Sequence, residues 1–208
     1  WVVDFARVRP EICAMYDPFG NAVHALTKVD LRGARVAIFG VGQIGMFSIL
    51  LARQFGAAKV IAIDVNADNV ETAKKLGAHE GIIIAPSEKA HAWEADAAVV
   101  QQIRDMTYGK GVDVSLEMAG FNSSVLNCIE ATRFGGHVIL FGIKDGDFTI
   151  PNFSRMVVKG LTLHNVIGRQ VFRTWQTAQR VFSDQTNGVQ DKMWDVILKG
   201  GQGTIIPL

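Results

Sequence analysis

Arg35-Val-Ala-Ile-Phe-Gly-Val-Gly-Gln-Ile-Gly45 (RVAIFGVGQIG) is the stretch on which the fold turns. A short β-type run, Arg35 to Phe39, leads into Gly40, and Gly40, Gly42 and Gly45 make the spacing Gly-x-Gly-x-x-Gly. The first glycine permits a tight turn. The second lets the backbone come close to a pyrophosphate, and the third lets helix pack on strand. Apolar residues then recur on a helical period from Ile44 to Phe55. The turn therefore opens a helix whose free N–H groups and positive dipole end face any phosphate placed there. A second β-run, Lys59 to Ile63, ends at Asp64, at about the 20-residue interval where an acid meets the adenosine ribose of a dinucleotide.

Outward from this unit, β-rich runs alternate with helical stretches. The runs are Gly81–Ala85 (ended by Pro86), Val112–Leu116, Gly136–Phe141 and Leu161–Val166. Helices are expected at Ala67–Leu76 with Gly77 as cap, about Ala92–Thr107, Asn122–Thr132 and about Arg169–Ser183. The pattern predicts an α/β fold, a doubly wound, parallel, six-stranded Rossmann sheet with helices on both faces. Residues 31–185 are read as the dinucleotide-binding domain. Residues 1–30 break the rhythm and read as a helical lead-in, with short helices at Pro10–Tyr16 and Pro18–Lys28. Asp17 suits the N-cap of the second and Pro18 its first position. Residues 186–208 read as a return segment that ends in a glycine turn and a strand.

Composition sets limits. A chain of 208 residues with 49% hydrophobic and 20% charged residues is long enough to bury a full α/β core. Its net charge of +1 offers no basic surplus for a nucleic-acid partner. No apolar run approaches the roughly 20 residues of a membrane helix, so no membrane partner is expected. Cys13 and Cys128 lie in separate apolar segments, which reads as two reduced thiols. With no Cys-x-x-Cys or His-Glu-x-x-His, no metal site is expected in this chain. It begins Trp-Val-Val-Asp rather than with Met, and both ends read as continuing a longer chain.

Asp64 also bears on the choice of cofactor. A carboxylate there repels the 2′-phosphate of NADP, and Val65-Asn66-Ala67 brings no Arg or Lys to offset it, so NAD is expected. Methyltransferases that use S-adenosylmethionine share a glycine turn followed by an acid. The dinucleotide spacing of this turn, and a sixth strand after the fifth, favour NAD.

Several segments together resemble the zinc-dependent medium-chain dehydrogenases, and within them the L-threonine-oxidising branch. They are Asp17-Pro-Phe-Gly-Asn-Ala-Val-His24, the glycine turn, Leu116-Glu-Met-Ala-Gly120, Phe141-Gly142-Ile143 and Gly168-Arg-Gln-Val-Phe-Arg-Thr-Trp175. The resemblance runs from about Pro10 to Gln179 and is weak between Ser87 and Gln102. It implies a cytoplasmic homodimer or homotetramer that transfers hydride from the β-carbon of L-threonine to NAD, giving 2-amino-3-ketobutyrate, with zinc in the full-length enzyme only.

Cofactor contacts carried over by the resemblance are Ile44 with Gly40, Gly42 and Gly45 at the pyrophosphate, and Asp64 at the ribose. Phe141, Gly142, Ile143, Val166 and Ile167 fall at the nicotinamide. Asn69 stands where the family often has an Arg near the adenine, and Ile167 where an aromatic is frequent. Asp17 aligns with an acid that the family places close to the zinc, which implies a catalytic part in proton relay or metal positioning beside the capping role. His24 resembles an interdomain residue, although a packed helical histidine is the plainer reading. His79, His91, His137 and His164 read as surface or strand-end residues, and Arg169 as a cleft or packing residue. Without the family's metal-binding domain, the chain as given is expected to bind NAD without turnover. A polyol or secondary-alcohol dehydrogenase and a non-catalytic NAD-sensing module are the alternatives.

Overall fold

The computed structural model describes residues 1–85, 91, 93–144 and 146–206. Six strands, β1 (Arg35–Phe39), β2 (Lys59–Asp64), β3 (Glu80–Ile83), β4 (Val112–Glu117), β5 (Thr132–Leu140) and β6 (Thr162–Asn165), form one parallel sheet in the order β3-β2-β1-β4-β5-β6. The expected doubly wound Rossmann sheet is therefore present. Strand β1 lies between β2 and β4, so connections leave it in opposite directions. A crevice opens at the carboxyl ends of the strands where the winding reverses.

Side-chain alternation along the strands makes two cores. Val36, Ile38, Val60, Ala62, Val114, Leu116 and Ile139 point to one face. There they meet α2 (Tyr16–Leu26), α3 (Gln43–Gln54) and α8 (Val171–Ser183). Ala37, Phe39, Ile61, Ile63, Ile82 and Val138 point to the other face, against Val99 and Ile103 of α5 (Ala97–Asp105) and Cys128 of α6 (Asn122–Ala131). Phe19, Val23 and Leu26 of α2 are buried in the first core, with Phe19 edge-on to Phe47 and packed on Phe182. Val189 and Met193, near the other end of the chain, join the same core.

Local signals explain most boundaries. Asn66 caps α4 (Ala67–Leu76) by accepting from the Asp68 N–H at 2.8 Å. Gly77, at φ +122°, closes it with its N–H on Ala73 and Lys74 carbonyls, as read from sequence. The third strand starts and stops slightly earlier than expected. The helix after it is shorter, beginning at Ala97; Pro86, Ser87 and Ala92, which fell in these readings, lie outside the described residues.

Other expectations need correction. Asp17 is not an N-cap, because α2 already runs from Tyr16 and its cap residue is Met15. Strand β5 begins at Thr132 rather than Gly136. The Ser115 and Thr132 hydroxyls meet at 2.7 Å, and a register shift between Val112 and Val114 absorbs the extra residues, so the period-two pattern is broken there. Helix α7 (Ser154–Lys159) was not foreseen, since Val157 and Val158 are exposed and mask its period. The expected terminal strand is absent among the described residues. Gly200, Gly201 and Gly203 all have φ between +62° and +86° and fold the tail onto itself.

At the amino ends of the strands, Asp113 ties three strands together. Its carboxylate accepts from the backbone and side chain of Arg35 on β1, and from Arg133 on β5. Burial alone would raise its pKa, but the hydrogen bonds from Arg35 and Arg133 outweigh it and hold the carboxyl well below its ordinary value of 3.8. A depressed carboxylate contributes stability that is present above the unfolded pKa and lost as pH falls toward the folded one. Asp113→Asn should cost about 2 kcal/mol at pH 7. It should also flatten the loss of stability below about pH 4, measured by urea unfolding at a series of pH values. An unchanged acid limb would contradict this role.

Candidate functional site

Gly40 has φ +88°, and its N–H donates to the Ile63 carbonyl at 2.8 Å. A Cβ there would stand 2.7 Å from the Ala119 backbone nitrogen, so the turn is seated directly on the loop after β4. A Cβ on Gly45 would be 2.1 Å from the Gly40 carbonyl oxygen, which no side chain can satisfy. Gly42, at the N-cap of α3, would meet nothing within 4 Å. Two glycines thus close the turn on protein, while the middle one faces open space. That is the arrangement a pyrophosphate needs in order to reach the helix N–H groups.

Asp64 is held from both sides. One carboxylate oxygen accepts the Val41 N–H at 2.8 Å and the other the Asn66 N–H at 2.9 Å. Each oxygen keeps a further lone pair, so a fixed carboxylate presents two acceptors to a ribose diol. Asp64, Gly40, Gly42 and Asn69 line one side of a cavity of about 680 Å³. Across it stand Met118, Phe121 and the polar residues Asp96, Ser124 and Asn127. Asn127 is locked to Asp96, accepting its N–H and donating to its carboxylate. The Ser124 hydroxyl is buried with no partner among the described residues. The cavity thus combines apolar walls, a fixed pair of carboxylate acceptors and an unpaired hydroxyl, the features that binding of a nucleoside calls for.

A second cavity, about 330 Å³, lies between the ends of β5 and β6 and is lined by Phe141, Gly142, Ile143, Lys144, Val166 and Ile167. All five residues expected near the nicotinamide are brought together here. Ile143 and Ile167 are each 79% exposed, while Val166 is buried with its N–H on the Leu140 carbonyl. Ile44 is half-buried at the start of α3 and packs partly against the first core.

Asp17 lies in the first turn of α2 and forms an ion pair with Arg169, just past β6. Asn21 and His24 share its face at i+4 and i+7. His24 Nδ1 meets the Gly168 carbonyl at 3.0 Å, while His24 Nε2 and Asn21 Oδ1 are buried without partners among the described residues. Asp17 is therefore held against the segment that follows β6, on a helix face with polar atoms that the chain's own described residues leave unsatisfied. Asn21 escaped the sequence reading, though the 17/21/24 spacing was a signal for it. The ion pair of the fully buried Glu117 with the half-buried Lys144, between the two cavities' loops, also escaped notice, because acid and base are distant in sequence.

Burial pushes the Tyr16 hydroxyl up to about 12 and the Cys128 thiol well above its usual value, so neither is a reactive group near neutral pH. Among the described residues, no three of His, Cys, Asp and Glu converge as a metal shell, so the donors present do not fit zinc. No described helix is long and apolar enough to cross a membrane.

Comparison with known proteins agrees with this geometry. Residues 43–184 match the family model for zinc-binding dehydrogenases. The L-threonine 3-dehydrogenase of Francisella tularensis subsp. tularensis (strain WY96-3418) is 33% identical over 172 residues, covering 81% of this chain and 47% of that protein. The L-threonine 3-dehydrogenase of Shewanella loihica is 33% identical over 168 residues, with 81% and 46% covered. Among solved structures, the alcohol dehydrogenase TADH from Thermus sp. ATN1 superposes with a TM-score of 0.74 at 28% identity, covering 86% of this chain and 49% of that one. The chain spans about half the length of the curated relatives it matches. With the glycine turn, the sheet order and the family match in agreement, the chain belongs to the zinc-binding dehydrogenase family.

Proposed function

We propose that this chain is the NAD-binding part of a cytoplasmic L-threonine 3-dehydrogenase. Asp64 carries the cofactor assignment. Its carboxylate is fixed at the mouth of the larger cavity by two backbone N–H groups, and no Arg or Lys lies between Val65 and Asn69. A 2′-phosphate placed there would meet a negative charge with nothing to neutralise it. Support for threonine comes from the Gly168–Trp175 segment and from the names of the relatives. Likeness to the Thermus alcohol dehydrogenase keeps a secondary alcohol as the second reading.

In this reading the chain's residues bind and orient. The turn from Gly40 to Gly45 receives the pyrophosphate, Asp64 the ribose, and the backbone from Phe141 to Ile143 with Val166 and Ile167 the nicotinamide. Fixing the ring removes much of the entropic cost of hydride transfer from the alcohol carbon. Asp17, held by Arg169, stands ready to accept or relay a proton at the cleft. Since the donors among the described residues do not make a zinc site, the isolated chain binds NAD and does not turn over threonine.

Titrations following energy transfer from tryptophan to NADH test the assignment. NADH should bind at least about tenfold tighter than NADPH, and Asp64→Asn should weaken NADH about tenfold and narrow that gap. An unchanged NADH affinity in Asp64→Asn would falsify the reading. Mixing the chain with threonine, NAD and zinc should give no NADH; sustained absorbance at 340 nm would refute the claim of inactivity.

The edge of the sheet at β6 is expected to pair with a second copy through Leu161–Val166, since its outer backbone groups need cover. Light scattering at high concentration should give the mass of a dimer or tetramer. A strict monomer contradicts it.

A further inference from the structure

Glu117, the last residue of β4, is fully buried. One carboxylate oxygen accepts the backbone N–H groups of Ala119 at 3.1 Å and Gly120 at 2.8 Å. The other accepts from Lys144 Nζ at 2.7 Å, and Lys144 Nζ also donates to the Gly142 carbonyl at 2.8 Å. The loops around them leave no slack. A Cβ on Gly142 would stand 2.4 Å from Gly120 N and 2.6 Å from the Glu117 carboxylate, and one on Gly120, at φ +81°, would stand 2.7 Å from the Ile143 carbonyl oxygen. The backbone N–H groups of Phe141 and Gly142 both donate to the Glu117 carbonyl.

The pair therefore lies beneath the backbone that lines the smaller cavity, and Lys144 itself is part of its wall. A staple that only joined two loops could be made from neutral partners, without the cost of removing two charges from water. What distinguishes this one is its place below the ring that changes charge in the reaction. Oxidised nicotinamide is a cation and reduced nicotinamide is neutral. A single buried charge at that spot would bias the site toward one redox form, and a neutral pair does not.

We infer that Glu117 and Lys144 are positioning residues whose balanced charges set the relative affinity of this site for oxidised and reduced cofactor. This rests on reading the smaller cavity as the nicotinamide site. Without Glu117's charge, the remaining lysine repels the oxidised ring; without Lys144's, the remaining carboxylate attracts it. At an effective dielectric of about 20, a unit charge within about 12 Å of the ring changes the ratio by about tenfold or more.

The test measures dissociation constants of NAD, NADH and ADP-ribose for the parent chain, Glu117→Gln, Lys144→Met and the double variant. The ratio Kd(NAD)/Kd(NADH) should rise about tenfold in Glu117→Gln, fall about tenfold in Lys144→Met, and return close to the parent value in the double variant. ADP-ribose, which lacks the ring but keeps the pyrophosphate, reports how each variant changes affinity apart from the ring, a change that cancels in the ratio. Opposite shifts are not produced by a loosened loop, which weakens both redox forms together. Should Lys144→Met fail to fold, Glu117→Gln and the double variant still give a predicted rise and a predicted return. Ratios that stay at the parent value, or move the same way in both single variants, overturn the inference while leaving the cofactor assignment standing. A parent chain that binds neither NADH nor ADP-ribose overturns the assignment and this inference together.

Discussion

The cleft depends on space that missing side chains leave where β1 turns into α3. Gly45 must pass so close to the Gly40 carbonyl that a Cβ would stand 2.1 Å from it, and Gly40 must sit on the Ala119 backbone. These contacts fix the start of α3 against the sheet and bring its unsatisfied N–H groups to the mouth of the crevice. Gly42 alone is left facing outward. Steric closure on two sides and openness on the third convert a strand-to-helix turn into an anion seat, and Asp64 then adds direction by accepting backbone N–H groups from Val41 and Asn66.

Charges elsewhere are distributed so that each end of the sheet has its own clamp. Asp113 joins β1, β4 and β5 at the amino ends, while Glu117 joins the β4 and β5 loops at the carboxyl ends through Lys144. The first clamp is partly exposed and serves stability. In the second the carboxylate is fully buried while the lysine is partly exposed, and the pair lies beside the two cavities. On the other side of the cleft, the 17/21/24 face of α2 meets the segment after β6 through Asp17–Arg169 and His24–Gly168. Its Asn21 and His24 atoms, unpartnered among the described residues, make it one of the places where the chain's own polar bonding is incomplete.

The six parallel strands, the helices on both faces and the glycine turn were legible because each is written in local pattern: short β-rich apolar runs, a helical period in α3, and glycines at fixed offsets. Asp64's place beside the turn was legible through its distance from it in the chain. The Asp17 cap was misread because Pro18 made a helix start look sharper than it is; the helix takes in Tyr16 as well. Helix α7 was hidden because its valines face outward, against the rule that apolar periodicity marks the buried face. The Glu117–Lys144 and Asp17–Arg169 pairs could not be read at all. Their partners are 27 and 152 residues apart, and only the folded sheet brings them together.

A cofactor-bound crystal structure tests the central claim most directly. The account predicts a dinucleotide lying across the carboxyl ends of the strands, its pyrophosphate on the backbone between Gly42 and Ile44 and its adenosine ribose on the Asp64 carboxylate. A dinucleotide bound away from that turn, with Asp64 still holding only its two backbone partners, would contradict it.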